Sequence, residues 1–247
     1  MRILILGGYG IFGGRLAELL SDIGDAEILI CGRSVSNATK FCQTYSGIAT
    51  VTPHALDRKN IVKGIAKYQP DIVVDASGPF QGYGDNPYIV VKACIAAGVN
   101  YMDLADAADF VFGISQFDVS AKAASVYVLS GVSSFPVLTA AVLRELTKDM
   151  AVRSVTGGIA PSPHAVIGMN VMRAVISYAG TPVKLTRDGK QTLARGLTES
   201  RRFTIAPPGL LPLRNLRFSL VDVPDLQVIP GEYDGLQDIL DGRGARS

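Results

Sequence analysis

Only three cysteines occur in the 247 residues, Cys31, Cys42 and Cys94, and no two of them share a C-x-x-C spacing. An odd, scattered set excludes a disulfide frame and fits reduced thiols in a cytoplasmic chain. Histidine is scarcer still. With His54 and His164 alone, no zinc constellation can be assembled from Cys/His spacing, so no metal is expected. A surplus of either charge is also missing: 24 Lys and Arg against 22 Asp and Glu leave +2. That is too little to argue for nucleic acid or an acidic membrane as partner. Long apolar runs are absent as well. The first one breaks at Gly7 with no small-residue cleavage pattern behind it, unlike a signal peptide. Residues 126–143 carry no charge, but Gly131, Ser133, Ser134 and Pro136 divide them into strand, loop and helix, not a membrane span. No internal repeat is visible. A small-molecule substrate is the expected partner.

What is present is a hydrophobic fraction of 48% with 19% charged residues, the balance of a globular chain able to bury a substantial core. Two parts differ in composition. Residues 1–150 alternate apolar strands with helical patterns, carry a net charge of −2, and read as a doubly wound parallel α/β sheet. Residues 151–247 hold eight of the thirteen prolines and a net charge of +4, and the alternation stops there. This second part reads as a smaller α+β domain with an antiparallel sheet. Asp188-Gly189 is its clearest turn, a type I′ hairpin signal between Val183-Lys184-Leu185 and Gln191-Thr192-Leu193. Val166 to Ala179 has a helical pattern closed by Gly180, and a disordered tail is expected from about 241.

The most informative stretch is Arg2 to Gly14. An apolar run leads into G-x-G-x-x-G at Gly8, Gly10 and Gly13, and a helical pattern follows through Leu20. Strand, glycine turn and helix in that order predict dinucleotide binding; the alternative is a glycine-rich turn in another α/β protein. Gly8 lets the chain reverse, Gly10 lets the backbone approach a pyrophosphate, and Gly13 lets helix and strand lie close. The first-turn amides, with Ile11 and Phe12 among them, then face the phosphates, where the helix dipole favours negative charge. The second strand, Glu27 to Gly32, ends in Arg33-Ser34, where an NAD site usually carries an acidic residue. A guanidinium beside a hydroxyl suits a 2′-phosphate, so NADP is expected over NAD; a solvated Arg33 at a helix start is the plain alternative.

Other candidates follow later strands. Asp57 is placed to accept from an adenine amine or to cap the next helix. Ser77 and Gly78 close the strand Asp71–Ala76, where a ribose and nicotinamide would pass, or they simply form a tight turn before Pro79. Asp103, Asp106 and Tyr83 are the candidates for acid–base work, and His164 and Arg173 are weaker ones. Ser133 and Ser134 open a helix and suit a carboxylate or an ordinary cap. No nucleophile–base pair can be read, which leaves a covalent mechanism without support.

Taken together, the glycine fingerprint, Cys31-Gly32-Arg33-Ser34, Asp71 through Phe80, Ala93 through Leu104 and Ser130 through Pro136 resemble the saccharopine dehydrogenase-like oxidoreductases. The similarity covers about residues 1–150 and continues loosely into Phe218–Leu226. It implies an NADP-binding Rossmann domain, then an α/β domain that walls the substrate cleft and often makes the dimer contact. It also implies hydride transfer between nicotinamide and an imine, a secondary amine or a related unsaturated centre. The cofactor positions it supports are Gly8, Gly10, Gly13, Arg33, Ser34, Ser77 and Gly78; no acid–base residue carries over. Similar proteins continue past this length with helices that return to the first domain. That difference, with the unreadable acid–base pair, keeps a non-catalytic NADP(H)-binding regulator or partner protein as the competing expectation.

Overall fold

A computed structural model describes residues 1–160, 169–206, 208–240 and 242–245. The chain divides into two compact units, one of residues 1–106 and 113–133, the other of residues 107–112 and 134–247.

The first unit is built on strands β1 (Arg2–Leu6), β2 (Glu27–Gly32), β3 (Thr50–Ala55), β4 (Ile72–Asp75), β5 (Asn100–Asp103) and β6 (Val128–Leu129). All pair in parallel in the order β3-β2-β1-β4-β5-β6. Leu4, Ile5, Ile28, Ile30 and Val73 are completely or almost completely buried, as expected of central strands covered on both faces. Pro53 lies within β3, which the order places at the sheet's edge, where a missing N–H does least harm. The crossovers are helices α1 (Ile11–Leu19), α2 (Val35–Thr44), α3 (Ile61–Tyr68) and α4 (Ile89–Ala97). Gln69 and Gly98, both left-handed, stop α3 and α4.

Helix α5 (Ala108–Phe112) is assigned to the second unit, and α6 (Asp118–Ala123) returns the chain to β6. Gly113–Phe117 winds as a 3₁₀ turn ahead of α6. Strand β6 is only two residues long: Ser125 takes a left-handed φ of 55° and Ser130 turns its hydroxyl to Asp103.

The main segment of the second unit begins at Ser134, earlier than the change in composition near 150. The cause is packing. Ala140 and Leu143 on α7 (Thr139–Leu146) lie against the second hydrophobic core. A wide turn over Ser134–Leu138 precedes α7, so the helix does not open directly after Ser133 and Ser134. After β7 (Ser154–Thr156) come α8 (Met169–Ser177), β8 (Pro182–Arg187), β9 (Lys190–Arg195), β10 (Ser200–Ile205), β11 (Leu213–Leu220), α9 (Asp225–Val228), β12 (Asp238–Leu240) and β13 (Gly242–Ala245). The expected hairpin forms between β8 and β9, with Asp188 and Gly189 both at positive φ. Strands β10, β11 and β13 make an antiparallel sheet, and β7 and β12 pair in parallel. Residues 242–245 of the tail expected to be disordered thus pair with the backbone of β11. Val183, Leu185, Leu220, Val221, Leu226 and Ile229 form the core.

Candidate nucleotide-binding site

Parallel strands put their carboxyl ends on one edge, and the register of this sheet aligns them: Leu6 lies beside Cys31 and Asp75, and Asp75 beside Asp103. The loops after β1, β2, β4 and β5 therefore share that edge, the place where doubly wound sheets take ligands.

The turn after β1 is closed by two backbone bonds, Gly10 N–H to Gly7 O at 2.8 Å and Gly8 N–H to Cys31 O at 3.0 Å. Its left-handed residue is Gly7 (φ +74°), which the fingerprint reading left out. A Cβ on Gly7 would sit 2.7 Å from Ala76 O and 2.8 Å from Ser77 Cα, so this turn touches the exit of β4. A Cβ on Gly8 would lie 3.0 Å from Ile5 O, and one on Gly13 would be driven into the Gly7 carbonyl, with Gly7 C and Gly8 Cα at 2.9 Å. Helix α1 starts with no side-chain cap at Gly10, and Gly10, Ile11 and Phe12 are exposed. The first-turn amides are thus left without a side-chain cap at the positive end of the helix dipole.

At the end of β2, Arg33 is exposed and has no ion-pair or hydrogen-bond partner among the described residues. Ser34 caps α2, accepting from Asn37 N–H at 3.3 Å, and its hydroxyl lies 2.9 Å from that of Ser36. Sequence reasoning missed Ser36, although the R-S-x-S spacing was its signal. It also missed Tyr9, whose hydroxyl accepts from Ser34 N–H at 3.1 Å and whose ring fills the space a Gly32 Cβ would need. Asp57 caps the 3₁₀ turn Arg58–Asn60, accepting from Lys59 N–H at 2.9 Å.

The exit of β4 is organised by Asp75, a fully buried carboxylate. It accepts from Ser77 N–H at 3.0 Å and from the Ser77 hydroxyl at 2.6 Å. The Tyr83 hydroxyl lies 2.8 Å from Ser77 Oγ and 3.2 Å from both Asp75 oxygens. Burial pushes the Asp75 carboxyl up, against the pull of its Ser77 donors. Burial, then Asp75, pushes the Tyr83 hydroxyl well above the ordinary phenol range. Tyr83 is therefore held as a neutral donor near neutral pH.

Asp103, at the end of β5, is also fully buried. Its Oδ1 accepts from Gly131 N–H (2.8 Å), Ala105 N–H (2.9 Å) and the Ser130 hydroxyl (3.0 Å), and its Oδ2 from the Tyr101 hydroxyl at 2.9 Å. Burial raises its pKa to about 6 although all four donors favour the ionised form. The side chain ties the loops after β5 and β6 together. Asp106 accepts from Gln81 Nε2 at 3.1 Å.

Arg173 lies exposed on α8 in the second unit, and His164 is outside the described residues. Helix α7 is capped by neither Ser133 nor Ser134: its N-cap is Leu138, because the wide turn intervenes. The second unit also has an open cleft of about 480 Å³, lined by residues that include Thr156, Arg201, Asp238 and the ion pair of Arg187 with Glu199. Among the described residues no group of three His, Cys, Asp or Glu is arranged to hold a metal, and no helix is long and apolar enough to cross a membrane.

Sheet order, glycine turn and open helix terminus define a Rossmann-type dinucleotide-binding unit. The description "Saccharopine dehydrogenase NADP binding domain" matches residues 3–131, just over half of the chain, and the chain belongs to that family. No curated protein sequence is similar enough to count as a match. Among solved structures, the apo saccharopine dehydrogenase (L-Glu forming) of Saccharomyces cerevisiae is similar at 15% identity and a TM-score of 0.67. The match covers 98% of this chain and 54% of that one, so this chain spans about half the yeast enzyme's length. The WlbA dehydrogenase of Chromobacterium violaceum, in complex with NADH and UDP-GlcNAcA, is similar at 12% identity and a TM-score of 0.50, with 98% of this chain and 66% of that one covered. At such identities the likeness shows the fold.

Proposed function

We propose that this chain is an NADP-preferring oxidoreductase acting on an imine, a secondary amine or a related unsaturated small molecule. The observation that carries this reading is the open α1 terminus beside an unpaired Arg33 with the hydroxyls of Ser34 and Ser36. In this reading the amides of Ile11, Phe12 and Gly13 hold the pyrophosphate, and Arg33, Ser34 and Ser36 hold a 2′-phosphate. Asp57 stands on the adenine side, and Ser77 and Gly78 border the nicotinamide ribose. When bound, the cofactor supplies the hydride at nicotinamide C4, and the protein contributes orientation and electrostatics. A cytoplasmic location and a homodimer through the second unit belong to the same reading.

Arg33→Asp is the direct test of cofactor choice. It removes the cation and adds an acceptor suited to a ribose 2′-OH. The dissociation constant for NADPH should rise by about 10- to 100-fold, and that for NADH by no more than about twofold. Equal losses for both would defeat the 2′-phosphate assignment.

A second reading, a non-catalytic NADP(H)-binding regulator, is favoured by the commitment of Asp103 to four donors of its own chain. Steady-state oxidation of NADPH across imine and enoyl substrates separates the two. Saturable NADPH binding with no turnover on any of them would decide for the regulator.

A further inference from the structure

The loop between β4 and α4 is tied down at three points, and one arginine makes two of the ties. Arg58 precedes α3, and Pro87 precedes α4; the two helices pack side by side, which brings their leading ends together. Arg58 Nη2 donates to Pro87 O at 2.6 Å. Its guanidinium carbon lies 3.4 Å from the centre of the Tyr83 ring, a stacked cation–π contact. Its Nε is buried and has no hydrogen-bond partner among the described residues. That polar group is left unpaired while the guanidinium covers the ring, so the stacked position is held at a cost. On the far side of the ring's hydroxyl stand Ser77 and Asp75, and Phe80 packs against Tyr83 with centroids 4.8 Å apart. Gly84 in this loop is left-handed (φ +67°), with open space where a Cβ would sit.

The strand order decides what the clamp serves. A dinucleotide whose adenosine end lies at β2 and whose pyrophosphate lies at the β1 turn must next meet β4. The close approach of Gly7 to Ala76 and Ser77 leaves no gap between that turn and the β4 exit.

We propose that Arg58, Tyr83 and Asp75 are positioning residues for the nicotinamide half of the dinucleotide: they hold the loop 77–88 closed so that Ser77 and Gly78 meet the ligand preformed. The proposal rests on the nucleotide-binding reading above. A loop held in its binding conformation spares the ligand the loss of affinity that an open, fluctuating loop imposes. The adenosine half, bound at β1 and β2, gains nothing from the clamp.

The test therefore compares two ligands on the full chain by calorimetry: the tighter of NADPH and NADH, and the matching mononucleotide, 2′,5′-ADP or ADP. Tyr83→Phe keeps the ring and removes only the hydroxyl; Arg58→Met keeps the bulk and removes the charge. Each variant should weaken the dinucleotide by about tenfold and the mononucleotide by less than about twofold. Equal weakening of both ligands would mean a merely structural role and overturn the proposal, as would unchanged affinity for the dinucleotide. Should the wild type bind neither ligand, the nucleotide-binding reading itself falls and takes the clamp with it. Binding of the mononucleotide by all three proteins keeps those two failures apart.

Discussion

Asp103→Leu is expected to strip the first unit of a large part of its stability. The substitution keeps the number and branching of the side-chain heavy atoms and removes every acceptor at a point where four donors converge: two backbone N–H groups and the hydroxyls of Ser130 and Tyr101. Each donor stranded without water costs about 1–1.5 kcal/mol or more, so the total is roughly 4–6 kcal/mol. A domain of this size is stable by only about 5–15 kcal/mol. Asp103→Asn should behave quite differently. Its carbonyl keeps the three bonds at Oδ1, and the Tyr101 hydroxyl can rotate to accept from the new amide, so about 1–2 kcal/mol is lost. Urea unfolding followed by circular dichroism measures both. A leucine variant as stable as the asparagine one would show that this carboxylate does not hold the two loops.

Wild type and Asp103→Asn together report the pKa of Asp103. Its folded value of about 6 lies above the unfolded value near 3.8, so the folded state binds the proton more tightly. The resulting stability is fully present below the unfolded pKa and is lost as pH rises through the folded one. Wild type should therefore gain on Asp103→Asn by about 2 kcal/mol between pH 7 and pH 4. A gap that narrows on acidification would contradict the upward shift.

Gly13→Ala should cost the chain its dinucleotide affinity by about 100-fold or more, with a stability loss of about 2–3 kcal/mol. The added carbon meets main-chain atoms of Gly7 and Gly8, which no rotamer change can move aside. Helix α1 must then shift off the strand, and its first-turn amides leave the place where phosphates would sit. Gly10→Ala is the useful contrast. Its Cβ would meet only the Gly7 carbonyl, at 3.0 Å, on an exposed turn, so affinity should fall while stability changes little. The chain contains no tryptophan, so NADPH emission can be followed directly in the titration. Wild-type affinity in Gly13→Ala would mean that phosphates do not bind at this turn.

The glycine turn and the hairpin were legible because they depend on local spacing: Gly8, Gly10 and Gly13 lead into α1, and Asp188-Gly189 turns the β8–β9 hairpin. Charged and polar side chains were a different matter. Asp103, Asp106 and Tyr83 looked alike as acid–base candidates, since a place at a strand end, or on a glycine-flanked loop for Tyr83, is all that a sequence displays. In the folded chain Asp103 is saturated by donors up to 28 residues away, and Tyr83 is held between Asp75, Ser77 and Arg58. Tyr9 escaped notice because its meaning lies in reaching Ser34, which only the closed turn brings about.

The amino-acid order alone therefore settled the parallel α/β class of the first unit and the glycine turn at its head. Backbone permission and the burial period act over a few neighbouring residues, and they can be read without a fold. Tertiary structure decided the rest: the unit boundary at Ser134, the place of Gly7 against β4, and the assignment of each buried carboxylate to its donors. Those depend on groups far apart in the chain meeting in a low-dielectric interior, where an unpaired polar atom is expensive and pairing is set by which strands lie side by side.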